Sequence, residues 1–407
     1  MKRIILNGGT HLSGELNISG SKNAALPIIF SCILINGVSK ISNLPNIGDV
    51  EIALNLLQNL GADITRFDNC VYIDSRNLEY RMPTHELVSS IRASTYLIGA
   101  CLARFGKCHI MPFGGCRFSK RPIDMHIDAA ASFGGTLCDN ELTANRLLGN
   151  TVIFSKPSVG ATVNAILMAA GAKGSSVIKG CAIEPHIDSL IDFLNSAGAN
   201  ICRIDRDIYV EARALHGGNI TIAGDMIEAG TYLGAGFITG GEVLLTGCPI
   251  EDMSCVFDAF VSLGADLAYE EDKAWLKGCK GAEYLSITAT PYPGFPTDLQ
   301  PIFAPLMAAF SGGDITDTVW SQRFGYLNCL SSFGISFVLE NNKAYISRSD
   351  IHSATTIAPD LRGGAACILA ALRSEGESII NSAETILRGY ESIEKKLCAL
   401  GAKILIQ

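Results

Sequence analysis

Apolar and polar positions along this chain fall into blocks that recur. One series is an apolar run closed by a glycine step: Leu60-Gly61-Ala62, Phe133-Gly134-Gly135, Ala197-Gly198-Ala199, Leu263-Gly264-Ala265, Phe333-Gly334-Ile335 and Leu400-Gly401-Ala402. By subtraction these glycines are 73, 64, 66, 70 and 67 residues apart. A glycine just past the last apolar position marks a helix C-terminus, and a short strand is expected after each. A second series of helices is predicted from Ser21, Ser90, Ser158, Glu228, Thr297 and Asp360, spaced by 69, 68, 70, 69 and 63. Each leads into an apolar run that stops at Gly37, Gly106, Gly174, Gly240, Gly312 or Gly376. Short alternating segments with a central aromatic recur as well, at Val71-Tyr72-Ile73, Ile208-Tyr209-Val210, Ala274-Trp275-Leu276 and Ala344-Tyr345-Ile346. Their period of two predicts strands. Self-similarity at a fixed spacing means a repeated supersecondary unit. Each unit reads strand, helix, strand, helix, strand, strand (βαβαββ), and six units account for nearly all of the chain.

At 407 residues the chain is too long for one ordinary core, which predicts two domains. The net charge of -8 supplies no basic stripe, so a general nucleic-acid binder is not expected. Fourteen cysteines are scattered without a CxxC pair, which signals neither a zinc site nor a dithiol redox motif and predicts a reducing cytoplasm. Apolar stretches such as Ala24 to Ile35 fall short of the roughly 20 residues of a spanning helix. The start, Met1 to Leu6, reads as a first strand and not as a signal peptide.

Candidate chemistry gathers at the predicted helix starts. Unpaired N–H groups there attract anions, and cations prefer the other end. Lys22, Arg92, Lys156 and Arg362 nevertheless sit near predicted starts. Either they pair with acids or reach solvent, or the protein holds a bound anion; four together favour the anion. Neighbouring loops add Cys116, Arg121, Arg323 and Arg388. Around Cys116 the run is Phe113-Gly-Gly-Cys-Arg-Phe-Ser-Lys-Arg-Pro-Ile-Asp-Met-His126. Two glycines let the loop bend, and the cations Arg117, Lys120 and Arg121 should lower the thiol pKa. A surface loop carrying an inert cysteine is the alternative. Pro122 suits the first turn of a following helix. His126 either orients this loop or is a packed structural histidine. There is no Walker-type phosphate loop, no GxGxxG after a strand and no GxSxG, which disfavours nucleotide hydrolysis, dinucleotide redox and serine-hydrolase chemistry.

Ser21-Lys-Asn-Ala-Ala-Leu-Pro27, Gly114 to Asp124, Ser158-Val-Gly-Ala-Thr162, Phe295-Pro-Thr-Asp298, Asp360-Leu-Arg362 and Arg388-Gly-Tyr-Glu391 together resemble the enolpyruvyl transferases, in order and over essentially the full length. Asn23 and the cysteine loop resemble the branch that uses a UDP-sugar. The shikimate 3-phosphate branch lacks that loop and typically begins its first helix Ser-Lys-Ser. The resemblance implies an α/β fold of the inside-out α/β barrel type, with three of the six units in each of two domains and the substrate cleft between them. One domain would span 22–223; the other would be discontinuous, 1–21 with 224–407. The implied substrates are phosphoenolpyruvate and UDP-N-acetylglucosamine, with no metal, no organic cofactor, no nucleic acid and no membrane insertion.

The resemblance also implies roles. Lys22, Arg121 and Arg388 surround phosphoenolpyruvate. Arg121, Pro122, Ile123, Asp124, Met125, Lys156, Ser158, Val159 and Gly160 surround the UDP group, and Val319 belongs to the substrate contacts. Asn23 and Asp298 face the sugar and the reacting hydroxyl, and Asp298 takes the proton of the 3′-hydroxyl. Cys116 adds to phosphoenolpyruvate and takes part in proton transfer to its methylene carbon. Arg92 and Arg362 resemble residues that act behind the contact layer or in closure. The chain departs from the family pattern at Tyr96, His186, Met226, Ser321, Thr385 and Leu387, and in Arg117 to Lys120. None of these removes a phosphoenolpyruvate residue. The acceptor therefore stays open between UDP-N-acetylglucosamine and another uridine nucleotide, alongside a non-catalytic chain that holds UDP-sugars.

Overall fold

Six helices of this chain are apolar on nearly every side, and the fold is arranged to cover them. The computed structural model describes residues 2–115, 121–279 and 283–407. Two compact units divide it: Gly20–Ile222, and the residues up to Ser19 together with Ala223–Gln407.

In Gly20–Ile222 the enclosed helices are Lys22–Ser31, Leu97–Phe105 and Val159–Gly171. A helix that is hydrophobic all round has no face to give to water, so it must be surrounded. Each side chain buried as completely as Ile28 or Phe30 contributes about 1.5–3 kcal/mol of transfer free energy. More amphipathic helices, Gly48–Asn59 and Pro185–Ser196, present one buried and one solvated face. One mixed sheet runs in the order Asn219–Thr221, Val38–Ser42, Cys70–Asp74, Asp63–Phe67; another runs Thr151–Ile153, Ser175–Lys179, Asp207–Glu211, Asn200–Ile204. In each, the first-named pair is parallel and the others antiparallel. The third sheet has three strands, Lys107–His109, Glu141–Thr143 and Thr136–Cys138.

The other unit encloses Met226–Thr239, Gln300–Phe310 and Leu361–Arg373 in the same manner. Its N-terminal strand Arg3–Asn7 pairs antiparallel with Glu377–Asn381 and Lys403–Ile406, which recruits the chain's start to its C-terminal half. Ser13–Asn17 lies parallel to Glu242–Thr246. Leu285–Ala289, Gly313–Asp317, Lys343–Ile346 and Phe337–Glu340 complete a third sheet.

Gly61, Gly134, Gly198, Gly264, Gly334 and Gly401 all have φ between +84° and +103°, the left-handed turn that ends a helix. Three helix starts differ from the sequence expectation. Ser90 ends the short helix His85–Ser90, and the chain re-enters helical conformation at Arg92 through a 3-10 turn, Arg92–Tyr96. Asp225, not Glu228, caps Met226–Thr239, because its carboxylate accepts from the N–H groups of Ile227 and Glu228. Thr297 precedes Gln300–Phe310 by three residues, its hydroxyl donating instead to Asp317 at 2.6 Å. The helix from Lys22 also closes early, at Ser31 and a 3-10 turn Cys32–Leu34, well before Gly37. No helix is long and apolar enough to cross a membrane, among the described residues.

Candidate active site

Within Gly20–Ile222 the first candidate is Lys22, the opening residue of its helix. Ser21 caps that helix by accepting from Ala24 N–H at 3.4 Å. Lys22 is buried, with Nζ 3.1 Å from Asp49 Oδ2. Asp49 lies in the first turn of Gly48–Asn59, where the helix dipole favours an acid. For Lys22, then, an acidic neighbour accounts for part of what the sequence assigned to an anion. Asn23 follows at the second helical position, half-buried.

Arg92 organises the base of the cysteine loop. Gly114 N–H donates to Val88 O at 3.2 Å, and a Cβ on Gly114 would lie 2.1 Å from Ser89 O. Gly115 has φ +122°, and a Cβ there would lie 2.9 Å from Arg92 Cβ. Only glycines let the chain lie this close against the Val88–Arg92 segment. On the other side of the loop, Arg92 Nη2 donates to Arg121 O at 2.8 Å. Arg92 therefore touches both flanks. Cys116, with Arg117 to Lys120, lies outside the described residues. Burial pulls the Arg92 pKa down to about 10, and the Arg121 charge adds to the effect. The Arg92 guanidinium thus sits half-buried within reach of a second positive charge, and both effects disfavour its charged form.

Pro122 is not in the first turn of the next helix. That helix is Asp124–Ser132 with Ile123 as its cap, so Pro122 precedes it by two residues. Asp124 and Met125 form its first turn, and the acid complements the dipole there. His126 is buried and its pKa falls to about 4, through burial first and then the Arg92 charge. It is a neutral, packed histidine, and its Nδ1 lies 2.8 Å from Asn164 Nδ2. A Cβ on Gly160 would come within 2.9 Å of its ring. Ser158 caps Val159–Gly171 by accepting from Ala161 N–H at 3.4 Å, which leaves Val159 and Gly160 in the first turn. Lys156 is exposed just ahead of them. This unit thus joins Arg92, Arg121 and, through His126, the Ser158–Gly160 start.

In the other unit a carboxylate is gripped by two arginines. Asp298 Oδ1 accepts from Arg323 Nη1 at 2.6 Å, and Oδ2 accepts from Arg362 Nε at 3.1 Å. Arg323 also donates to Thr297 at 3.3 Å. The Thr297 hydroxyl donates to buried Asp317, whose other oxygen accepts from the N–H groups of Val319 and Trp320. Asp298 and Val319 are thereby linked through Thr297 and Asp317. Arg323 is fixed from behind: Gln300 donates to its carbonyl at 2.9 Å, and Tyr326 donates to Gln300 at 2.6 Å.

Arg362 follows the cap Asp360 and is completely buried, its guanidinium 5.2 Å from the Tyr390 ring centroid. Burial alone would pull its pKa down, but Tyr390, Asp298 and Asp225 outweigh it, and the net shift is upward. Arg388 is half-buried in the adjoining turn, where a Cβ on Gly389 would lie 2.4 Å from Leu361 Cδ1. Asp298 and Tyr390 therefore meet at Arg362, and Gly389 brings the turn that carries Arg388 against Leu361, at the start of Leu361–Arg373. Sequence reasoning noted Arg323 only as a loop cation and left out Asp49, Asp317 and Asn164. Nothing in the spacing marks any of them, because each is defined by the partner it meets across the fold.

Residues 6–397 match the family described as EPSP synthase (3-phosphoshikimate 1-carboxyvinyltransferase). The chain is 37% identical over 418 residues to UDP-N-acetylglucosamine 1-carboxyvinyltransferase of Chlorobaculum parvum, covering 99% of this chain and 98% of that one. It is 37% identical over 413 residues to UDP-N-acetylglucosamine 1-carboxyvinyltransferase 2 of Clostridium acetobutylicum, covering 99% of both. Among solved structures, the enolpyruvyl transferase NikO from Streptomyces tendae aligns with a TM-score of 0.90 at 24% identity, over 100% of this chain and 99% of that one. An EPSP synthase from Acinetobacter baumannii aligns with a TM-score of 0.78 at 17% identity, over 100% of both. At those identities the structural likeness speaks for the α/β fold, whereas the full-length sequence matches speak for descent. The chain belongs to the EPSP synthase family of enolpyruvyl transferases.

Proposed function

We propose that this chain transfers the enolpyruvyl group of phosphoenolpyruvate to the 3′-hydroxyl of UDP-N-acetylglucosamine and releases phosphate, the first committed step of peptidoglycan precursor synthesis in the cytoplasm. The observation that carries the reading is end-to-end 37% identity to a relative bearing that name. In this reading Asp298 takes the hydroxyl proton as the oxygen bonds to C2 of phosphoenolpyruvate, and C3 gains a proton with the participation of Cys116. Loss of a C3 proton then expels phosphate and leaves the enolpyruvyl ether. The arginine grip on Asp298 supports this role, since it fixes the direction of the carboxylate. Lys22, Arg121 and Arg388 neutralise phosphoenolpyruvate. Arg121 to Met125, Lys156 and Ser158 to Gly160 receive the uridine diphosphate, and Asn23 and Val319 contact the acceptor. Arg92 and Arg362 support these residues from behind.

The same reading extends to architecture. Residues 22–223, and 1–21 with 224–407, are taken as domains of three βαβαββ units each, in an inside-out α/β barrel arrangement. The division of the contacts at Ser19/Gly20 and Ile222/Ala223 supports it. So does the shared wiring of the four-stranded sheets, in which one parallel pair is continued by antiparallel strands.

Phosphate release measured with phosphoenolpyruvate and a panel of acceptors tests the reading. UDP-N-acetylglucosamine should support turnover and shikimate 3-phosphate little, because a site built to pair polar groups rejects a ligand that leaves them unpaired. Turnover only with UMP or another UDP-sugar would reassign the acceptor. Tight UDP-sugar binding without turnover would defeat the catalytic reading.

A further inference from the structure

A single buried amide joins three segments of the Gly20–Ile222 unit. Asn164 is completely buried in the second turn of Val159–Gly171. Its Oδ1 accepts from Gly99 N–H at 2.6 Å. That bond fixes the orientation of the amide, so the two N–H donors of Nδ2 are shared among three acceptors: Thr95 O at 3.1 Å, Gly160 O at 3.2 Å and His126 Nδ1 at 2.8 Å. Accepting at Nδ1 places the proton of neutral His126 on Nε2. Thr95 belongs to the Arg92–Tyr96 turn, His126 to the Asp124–Ser132 helix, and Gly160 to the start of Asn164's own helix.

The packing leaves no slack around this amide. A Cβ on Gly99 would lie 2.7 Å from Asn164 Oδ1, and one on Gly160 would meet the His126 ring. Further along the same two helices, a Cβ on Gly171 would lie 2.7 Å from Ala103 Cβ. Helix packing alone would be served by the Gly99 and Gly171 contacts with an apolar residue at 164. The amide instead bonds to every segment on which this unit's uridine-diphosphate contacts are proposed to lie. A displaced segment would carry its contacts with it, and small misplacements at a positioned site are costly.

We propose that Asn164 is a positioning residue for the acceptor. It sets the spacing between the Ser158–Gly160 helix start, the Arg92 turn and the Asp124–Met125 turn, with neutral His126 as the link to the last. This rests on the UDP-sugar reading given above. The test compares wild type, Asn164→Ala, His126→Leu and His126→Asn by steady-state kinetics, calorimetric titration with UDP and thermal melting. Asn164→Ala and His126→Leu should raise the acceptor KM and the UDP Kd by about 10- to 100-fold, the range expected when a buried polar group loses its partner. The phosphoenolpyruvate KM and kcat should change by less than about threefold, since the lost interaction serves acceptor binding in ground and transition states alike. His126→Asn, whose side-chain oxygen can take the place of Nδ1, should restore the acceptor KM. A lower Tm with unchanged acceptor KM and UDP Kd would overturn the proposal and leave Asn164 a packing residue. If Asn164→Ala does not fold, the contrast between the two His126 variants decides. Wild type that binds no UDP would instead overturn the functional reading.

Discussion

Replacing Lys396 with Met would strand a carboxylate in the interior. Glu228 is 2% exposed, and its Oε1 accepts from Lys396 Nζ at 2.6 Å while Oε2 accepts from Ser19 N–H at 2.9 Å. Lys396 also donates to the Ser19 hydroxyl at 2.7 Å. Burial pushes the Glu228 pKa from 4.5 up to about 6, against the charge and hydrogen bond of Lys396, which pull it down. A rise of that size corresponds to about 2 kcal/mol of native-state cost for the charged form. Because the folded value lies above the unfolded one, the folded state binds the proton more tightly. The associated stability is fully present below pH 4.5 and is lost as pH rises through about 6.

Without Lys396 both of its downward influences vanish and the charged form becomes costlier still. Breaking a buried pair on one side costs about 3–5 kcal/mol. For a unit of roughly 200 residues that is a fall in Tm of roughly 6–20 °C at pH 7.5. At pH 5 Glu228 is protonated, and the loss should shrink toward that of a neutral hydrogen bond, about 1 kcal/mol or roughly 2–4 °C. Differential scanning calorimetry of wild type and Lys396→Met at both pH values measures this, each variant being compared with wild type at the same pH. Adding Glu228→Gln to Lys396→Met should recover much of the deficit at pH 7.5. An equal deficit at both pH values would refute the reasoning, since a lost packing contact does not titrate.

Cys116 and Asp298 carry further expected outcomes of the proposed site. Fosfomycin, an epoxide mimic of phosphoenolpyruvate for this family, should alkylate Cys116 and spare the other thirteen cysteines on peptide mapping, and Cys116→Ser should keep Tm while losing most turnover. Asp298→Ala should lower kcat by about 10²–10⁴. Asp298→Asn, which keeps an acceptor for one arginine, should lose a comparable rate with a smaller fall in Tm.

Local signals in the sequence carried the helix ends well, since a glycine after an apolar run has one economical use. The helix starts were less legible. At Glu228 the apolar run invited a start three residues late, because Asp225 is a cap only by virtue of where its carboxylate points. At Thr297 the hydroxyl that looked like a cap belongs to Asp317, twenty residues on. His126 left two readings open, and its burial against Asn164 and Gly160 selects the packed one. Lys22 and Arg362 were visible as cations in an unfavourable place, but the acids beside them, Asp49 and Asp298, stand 27 and 64 positions away in sequence. Long-range pairs of this kind leave no periodicity to read.

Those pairs sharpen the argument about cations at helix starts. A lysine or arginine there is opposed by the dipole and, once buried, by desolvation as well. Lys22 meets both costs partly through Asp49. Arg362 meets them differently: Nε is bonded to Asp298, while buried Nη1 and Nη2 have no hydrogen-bond partner among the described residues. The guanidinium faces the Tyr390 ring at 5.2 Å, and the upward shift of its pKa means that its neighbours hold the charge in the native state. Arg92 makes no ion pair among the described residues, and burial lowers its pKa. A solvated surface cation shows neither burial nor unused donors. Burial without a full set of hydrogen-bond partners therefore distinguishes Arg362 from a solvated cation that merely happens to sit at a helix start. Arg362, tied to Asp298, and Arg92, tied to the Arg121 carbonyl, therefore act in the proposed reaction by holding those residues in place, whereas exposed Lys156 would contribute the screened attraction of a surface charge.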